Sequence, residues 1–203
     1  NMAIGSAQIL GYDLMDNFNV PFVAKSVTEF WRRWHISLSS WVNEYVYNPV
    51  SLGLRNWNRW AVVAASMITF LILGFWHGAS WNFIIWGALH GIALAVHKIW
   101  MLLTGKTFKN INGSWWYKIL AGLLTFHFVC FCWIFFKAPD FESGMDMLRQ
   151  IKNDFSFNVW SGFYNNYKTV LAMMLMAFCI HIIPDDWADR VIEKTKRLPL
   201  VTY

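Results

Sequence analysis

A stretch of 38 residues without Asp, Glu, Lys or Arg separates Arg59 from Lys98. A straight helix of that length would measure about 57 Å, nearly twice the ~30 Å thickness of a bilayer's hydrocarbon core. The segment must therefore turn back on itself, and Gly78-Ala79-Ser80 supplies small residues for the turn. The sequence predicts two membrane segments, at 60–76 and 81–97, on either side of it.

Two further apolar blocks follow, at 119–136 and at 169–184, and each is predicted as a membrane segment. Over the whole chain 57% of the residues are hydrophobic, 19% are aromatic and only 14% are charged. An ordinary soluble domain has about 25% charged residues. So little charge cannot cover a water-facing surface, which excludes a disordered tail and argues against a cytosolic globule. The composition indicates an all-α integral membrane protein with several spans.

The charged residues are concentrated between the apolar blocks. Four lysines and no acid lie between 98 and 118, which is typical of a cytoplasmic loop under the positive-inside rule. The net charge is +5, and no clustered stripe of Lys and Arg indicates a nucleic-acid partner. We attribute the basic excess to loops that face anionic lipid. Residues 140–149 predict a short surface helix.

Residues 28–47 have a different pattern from the apolar blocks. Thr28 is the predicted N-cap of a helix here, and Pro49 is predicted to end it. Large apolar side chains recur at spacings of three and four, which places them on one helical face. A Trp-rich amphipathic helix with arginines beside that face is typical of the membrane interface. The residues of the face are Trp31, Trp34, Leu38, Trp41 and Tyr45.

Histidines are the ionisable residues inside the apolar blocks, and an ionisable group at membrane depth is a functional hypothesis in itself. His77 precedes the predicted turn, where a helix break frees backbone polar groups to line a cavity. An imidazole there can act as a general base near neutral pH. The alternative is a histidine that only bonds a freed backbone carbonyl. A backbone N–H that the helix break frees near Gly78 can bond a developing oxyanion.

The other histidines have less informative surroundings. His35 has Arg32 three residues before it and Ser39 four residues after it, so a polar strip runs beside the Trp face. It is either a second wall of the same cavity or an interfacial side chain that reaches water. His90 precedes Gly91, which suits close helix packing and a structural hydrogen bond. Structural or interfacial roles are expected for His97, His127 and His181.

Other kinds of site have little support in the sequence. His77 and His90 are not four residues apart and have no carboxylate or cysteine nearby, so no metal site is expected. The sequence has no Gly-rich phosphate loop and no Gly-x-Ser-x-Gly elbow. The cysteines Cys130, Cys132 and Cys179 lie in apolar runs, which argues against a disulfide framework.

Three motifs in order carry a resemblance to a known family. Residues 29–41 read Glu-Phe-Trp-Arg-Arg-Trp-His-Ile-Ser-Leu-Ser-Ser-Trp, and residues 74–83 read Gly-Phe-Trp-His-Gly-Ala-Ser-Trp-Asn-Phe. Residues 86–91 read Trp-Gly-Ala-Leu-His-Gly. With 3–18 and 133–138, they resemble the C-terminal part of a membrane-bound O-acyltransferase. The resemblance is to the bacterial branch of alginate O-acetylase and related polysaccharide O-acetyltransferases.

This resemblance implies a multi-helix bundle around a tunnel through the membrane, with the acyl donor reached from the cytoplasm and the acceptor on the far side. The invariant histidine of the family matches His77, and its second polar position matches His35. The resemblance therefore implies these two residues as the catalytic pair. Further residues expected to line the tunnel are Arg32, Trp76, Gly78, Asn82 and His90.

The resemblance implies no bound cofactor, because the acyl donor, acetyl-CoA or another acyl thioester, is a substrate. The expected reaction moves acetyl groups to hydroxyls of an exported or cell-surface polysaccharide, at the bacterial inner membrane. A separate extracytoplasmic acetyltransferase is a common partner in this branch. The alternative within the family moves D-alanyl or another acyl group to a teichoic acid or a carrier protein.

Two alternatives belong to other classes of protein. Histidines at four membrane positions, 77, 90, 127 and 181, can ligate a haem between helices. A transporter or scaffold subunit can also keep polar residues within the membrane. Substitution of His77 would then alter transport or assembly and leave acyl transfer unchanged.

The chain departs from the branch pattern after Trp41. The branch continues with an Arg-Asp-Tyr-Leu-Tyr-Ile-Pro-Leu-Gly-Gly-Asn-Arg type of stretch, whereas residues 43–55 keep only its Tyr-x-Tyr-x-Pro frame. Glu44 replaces the Asp, and the Gly-Gly-Asn-Arg end is missing. These differences argue against alginate itself as the acceptor. Because family members are more than twice as long, residues 1–203 are expected to be the C-terminal part of one membrane domain, inactive alone.

Overall fold

A computed structural model of the protein describes residues 2–183, 187 and 193. In that part of the chain the regular structure is helical without any strand, apart from one isolated antiparallel bridge between Phe18 and Trp34. The helices are α1 (Met2–Ile9), α2 (Val27–Arg33), α3 (Ile36–Val42), α4 (Asn48–Gly53), α5 (Arg59–His77), α6 (Trp81–Gly113), α7 (Trp115–Lys137), α8 (Phe141–Asn153) and α9 (Trp160–Ile182). The chain divides into two compact units, residues 1–154 and 155–203.

Three of the described helices are long and apolar enough to cross a membrane: α5, the first 25 residues of α6, and α7. They include the predicted segments 60–76, 81–97 and 119–136. The second candidate span ends at Gly105, where φ is 45° and the helix is kinked. Glycine adopts this left-handed region without a steric penalty. The predicted all-α membrane fold is confirmed.

The fourth predicted segment, 169–184, lies mostly within α9. α9 is not among the candidate spans of the described residues. Its first half carries the polar side chains of Asn165, Asn166 and Lys168, which are costly in hydrocarbon. Residue 184 lies outside the described residues.

α5 and α6 form a hairpin whose turn contains Gly78, as predicted. The two helices approach so closely that a Cβ on Gly74 would overlap the carbonyl oxygen of Phe83. A Cβ on Gly87 would likewise overlap the carbonyl oxygen of Phe70. Two glycines therefore allow backbone-to-backbone contact, and this contact fixes the register of the hairpin.

The ends of the predicted helix at 28–47 differ from expectation. Its N-cap is Ser26 rather than Thr28, because the Ser26 hydroxyl accepts the backbone N–H three residues later at 3.1 Å. Pro49 does not end a helix. The chain continues from α3 through a π-helical turn, Asn43–Tyr47, into α4, and Pro49 lies in the first turn of α4. A proline is tolerated there because the first backbone N–H groups of a helix have no partner within the helix.

The predicted helix is also interrupted near its centre. α2 ends at Arg33, α3 begins at Ile36, and His35 between them is left-handed, with φ 47° and ψ 56°. The break divides the predicted Trp face. The ring of Trp31 packs against rings of α5 and α6, whereas Trp41 is 55% exposed.

α8 confirms the short surface helix predicted at 140–149. Its N-cap is Asp140, whose carboxylate accepts the backbone N–H of Ser143 at 2.7 Å. This hydrogen bond holds the pKa of Asp140 below its ordinary value. A Cβ on Gly144 would lie 3.2 Å from the ring of Phe135, so α8 also packs tightly against α7.

Candidate active site

The unusual backbone of His35 is stabilised by the loop that precedes α2. The backbone N–H of Ile36 donates to the carbonyl oxygen of Asn17 at 2.9 Å. The side-chain Oδ1 of Asn17 accepts both the N–H of Ser37, at 3.0 Å, and its hydroxyl, at 2.6 Å. A left-handed conformation costs a non-glycine residue about 1–2 kcal/mol. Such strain persists where the surroundings fix it and is concentrated at functional sites.

Hydrogen bonds between side chains fix the position of α2 on α6. Thr28 Oγ1 and His97 Nδ1 are 3.1 Å apart, and Trp31 Nε1 donates to His90 Nδ1 at 3.3 Å. Residue numbers rise along α2 as they fall along α6, so the two helices run antiparallel here. Because α6 begins at the turn of the α5–α6 hairpin, the C-terminal end of α2, where the helix breaks, points towards that turn.

His77 is the last residue of α5, and aromatic rings surround its half-buried imidazole. The ring centroids of Trp76, Trp86 and Phe136 lie 4.8, 5.2 and 5.0 Å from that of His77, and Phe83 lies at 6.0 Å. Neither ring nitrogen has a hydrogen-bond partner among the described residues. The alternative role of His77 is a hydrogen bond to a backbone carbonyl freed by the helix break. His77 makes no such bond within the described residues. Trp76 itself is 65% exposed.

The structure brings the two histidines of the predicted catalytic pair together. The side chains of His35 and His77 lie within range of a Coulombic interaction, although 42 positions separate them in sequence. The His35 side chain is exposed, and its ring centroid lies 6.3 Å from that of Phe18. The imidazole of His35 is thus accessible from outside the helical core, and that of His77 is partly accessible.

His90 lies in the core of the helical bundle and is 1% exposed. Its ring centroid lies 4.9–5.9 Å from those of Trp31, Phe70, Trp86 and Phe128. Because Nδ1 accepts a hydrogen bond, Nε2 carries the proton, and this N–H has no partner in the described chain. The expected structural hydrogen bond is present. A role for His90 in the tunnel stays a prediction.

Two other predicted tunnel residues make local contacts. Asn82 is 2% exposed, and its amide Nδ2 donates to the carbonyl oxygen of Ala138 at 2.8 Å. Its Oδ1 accepts the hydroxyl of Ser80 at 3.0 Å, so this side chain fastens the start of α6 to the end of α7. The backbone N–H of Gly78 donates to the carbonyl oxygen of Phe75 at 3.2 Å. This N–H is therefore already bonded, and the oxyanion donor predicted near Gly78 stays a prediction for the neighbouring N–H groups.

A cavity of about 390 Å³ is bounded by α2, α3, α5 and α6. Arg32 lies in its wall, and the role of Arg32 in a tunnel stays a prediction. Its wall also includes Ile36, which directly follows His35, and Leu73, which is one helical turn before His77. The cavity therefore extends to the residues adjoining the histidine pair.

Two cavity residues, Lys98 and Tyr47, were not selected from the sequence. Lys98 follows Leu94 by four positions and lies on the same face of α6. That spacing is a signal in the sequence from which Lys98 can be predicted as a neighbour of Leu94. Tyr47 lies at the end of the π-helical turn. Burial raises the pKa of Tyr47, and a side-chain hydrogen bond with Ser51 opposes this rise.

The chain matches a known protein family and is similar to several curated proteins. Residues 2–135 match MBOAT, the membrane-bound O-acyltransferase family. The chain is 44% identical over 149 residues to a peptidoglycan O-acetyltransferase of Helicobacter pylori, covering 73% of this chain and 27% of that protein. It is 39% identical over 161 residues to a probable alginate O-acetylase of Azotobacter vinelandii, covering 79% and 30%. It is 35% identical over 145 residues to a teichoic acid D-alanyltransferase of Bacillus subtilis, covering 69% and 36%.

The chain thus spans between 27% and 36% of the length of these three relatives. The family match includes both histidines of the pair, both helices of the α5–α6 hairpin and most of α7. Two of the three relatives are named as O-acetyltransferases or O-acetylases, and the third is named as a D-alanyltransferase.

Proposed function

The chain belongs to the membrane-bound O-acyltransferase family, and on that premise we propose that the whole protein transfers acetyl groups to hydroxyls of an exported or cell-surface polysaccharide. The juxtaposition of His35 and His77 carries the proposal. It provides two imidazoles beside a cavity in a chain with three candidate membrane spans. The names of the relatives support acetyl as the acyl group.

In the proposed reaction His77 is the general base. It takes the proton of the acceptor hydroxyl while the hydroxyl oxygen attacks the carbonyl carbon of an acyl thioester. The tetrahedral intermediate then expels the thiolate, which takes up the proton from the His77 imidazolium. The products are an ester and a free thiol, so the histidine is regenerated. His35 and Arg32 hold or polarise the donor and acceptor.

The donor is proposed to be acetyl-CoA or another acyl thioester, consumed as a substrate. The proposed location is the inner membrane of a bacterium, in which the three candidate spans are embedded. An extracytoplasmic acetyltransferase is the proposed partner that acts on the exported polymer. The family match supports an acyl donor, and the bacterial relatives support a bacterial membrane.

A second candidate is transfer of D-alanyl or another acyl group to a teichoic acid or a carrier protein. The observation in its favour is the 35% identity to the teichoic acid D-alanyltransferase, over 69% of this chain. The same histidine pair would serve this reaction, because the attacking group and the thioester are chemically alike.

The alternatives from other classes have less support in the structure. Four aromatic rings enclose His90, and His127 Nδ1 lies 2.8 Å from the carbonyl oxygen of Leu123 in its own helix. Haem ligation by these histidines would require both environments to rearrange. His181 lies at the end of α9, and its side chain is outside the described residues.

The test measures base-labile O-acetyl on purified surface polysaccharide from a host that lacks its own copy of the gene. The whole protein that carries this sequence is expressed as wild type, His77→Ala and His127→Ala at equal membrane levels. His127 is the matched control, because it is an exposed histidine bonded only within its own helix among the described residues. We expect His77→Ala to lower acetylation at least about 100-fold, the size of a general base contribution. His127→Ala should retain it.

Equal acetylation in the wild type and His77→Ala would contradict the role of His77. A wild type that adds no acetyl to the polysaccharide would favour the D-alanyl alternative, which an assay of D-alanyl esters on teichoic acid then checks directly.

A further inference from the structure

Two cations line the cavity, and neither has an acidic partner among the described residues. Arg32 and Lys98 both lie in its wall, and their charges interact. Arg33, next in sequence, is different, because its guanidinium donates to the Glu29 carboxylate at 2.9 and 3.1 Å. Within the described chain, neither Arg32 nor Lys98 has an ion pair, and no Asp or Glu lines the cavity. The cavity is therefore electrostatically suited to an anion.

A buried hydroxyl adds a second indication of a ligand. Thr69 is 3% exposed and lies in the cavity wall, and its Oγ1 has no hydrogen-bond partner among the described residues. A buried hydroxyl without a partner is costly, so a polar group in the cavity would relieve this cost. Ser40 and Tyr47, which also carry hydroxyls, lie in the same wall.

The π-helical turn also contributes to the cavity. Its first and last residues, Asn43 and Tyr47, both lie in the wall. Single π-helical turns occur frequently at functional sites, where the extra residue redirects side chains. The turn thus contributes a residue with an amide and a residue with a phenol to the cavity wall.

The cavity is elongated along the hairpin. On α5 its wall extends from Ser66 to Leu73, about 10 Å, and His77 lies about 6 Å further on. On α6, Lys98 is 17 residues, about 26 Å, from Trp81 at the hairpin turn. A molecule whose anion binds Lys98 and whose reactive group meets His77 must therefore have an extended arm between them. Apolar side chains in the wall, such as Leu73, suit an uncharged arm.

We propose that Arg32 and Lys98 form a phosphate-binding site in this cavity, with Lys98 at the end remote from His77. The site holds the phosphate of the carrier that brings the acyl thioester, and this identity of the carrier rests on the proposed function. A guanidinium binds two phosphate oxygens at once, while an ammonium acts as a point charge beside them. An anionic lipid headgroup presents the same phosphate chemistry, so the experiment must distinguish the two sources.

The test uses the whole protein in nanodiscs of phosphatidylcholine, with coenzyme A as the probe and calorimetric titration as the readout. Arg32→Gln and Lys98→Gln should each weaken the binding of coenzyme A at least about tenfold, because each removes a charge-assisted contact. Lys98→Arg should bind within about threefold of the wild type, since it restores the charge. Lys118→Gln is the matched control, because it removes an exposed lysine outside the cavity and should bind like the wild type.

A second arm uses nanodiscs that contain phosphatidylglycerol, and mass spectrometry counts the lipid retained on the purified protein. One outcome is that the protein retains phosphatidylglycerol only when Lys98 is present, while all variants bind coenzyme A equally. The phosphate site would then stand, but its occupant would be a lipid and not the acyl carrier. If neither ligand depends on Arg32 and Lys98, the proposal is overturned. His77→Ala should still bind coenzyme A, so a failure of the proposed chemistry is separable from a failure of this site.

Discussion

The two histidines of the candidate site are held by different physical means. His77 is positioned by packing, since it ends a helix whose backbone touches its neighbour at Gly74 and Gly87 and whose last turn is enclosed by rings. His35 is positioned by hydrogen bonds, since a loop residue, Asn17, stabilises a helix break that the isolated chain would disfavour. The packed contacts at Gly74 and Gly87 leave no space for an additional atom. The break at His35 should instead tolerate any substitution of Asn17 that keeps the same hydrogen bonds.

The close packing of α5 against α6 predicts the largest loss of stability. Gly87→Ala places a methyl group against the backbone carbonyl of Phe70, so the α5–α6 hairpin must separate. We expect a loss of about 1–3 kcal/mol in the free energy of unfolding, as for other overpacked sites. Thermal unfolding in detergent measures it. The control is Gly162→Ala in α9, where a Cβ meets no atom within 4 Å; equal losses for both variants would contradict the packing argument.

The hydrogen bonds of Asn17 at the His35 break predict a smaller loss of stability, accompanied by a loss of activity. Asn17→Ala removes the acceptor of both bonds from Ser37 and should cost about 0.5–2 kcal/mol. The polysaccharide acetylation assay should show a fall of at least about tenfold, because His35 loses its fixed position. Asn17→Asp keeps an acceptor oxygen and should retain most of both properties. If Asn17→Asp is as impaired as Asn17→Ala, the loop does not act through these bonds.

The same contrast explains which features the sequence could predict. The hairpin turn at Gly78 follows from the thickness of a bilayer, which limits any charge-free stretch regardless of what packs around it. The break at His35 does not follow from the local pattern, because the apolar spacing continues through it from Trp31 to Trp41. The contacts that break the helix come from Asn17, and only the folded chain places that residue there.

The cavity could be predicted only in part for a related reason. Arg32 was selected because it lies in a recognisable motif. Lys98 was not, because its function as a cavity residue depends on how α2 lies on α6. That arrangement is set by tertiary hydrogen bonds such as the one between Trp31 and His90. The structural hydrogen bond of His90 was expected, but its partner 59 positions away could not be read from the sequence.

A variant that is more stable and less active would sharpen the comparison further. His35→Gly relieves the left-handed backbone of this residue and should raise the free energy of unfolding by about 1 kcal/mol. It also removes the imidazole, so acetylation of the polysaccharide should fall. Chemical denaturation of the purified protein and the acetylation assay measure the two effects. A variant that is destabilised would show that the His35 side chain, rather than the Asn17 contacts, holds the break.

α8 combines both kinds of support and predicts the smallest effect, confined to acid pH. Gly144 packs against Phe135, and the Asp140 carboxylate caps the helix. The cap lowers the pKa of Asp140 in the folded protein, so its contribution is present above the ordinary carboxyl pKa of about 4. It is lost as the pH falls through the lower pKa of the folded state. Asp140→Asn caps without titrating. We therefore expect hydrogen exchange in α8 at pH 3 to be faster in the wild type than in Asp140→Asn, and equal in both at pH 6. Equal exchange at pH 3 would mean that the contact between Gly144 and Phe135 alone holds α8 in place.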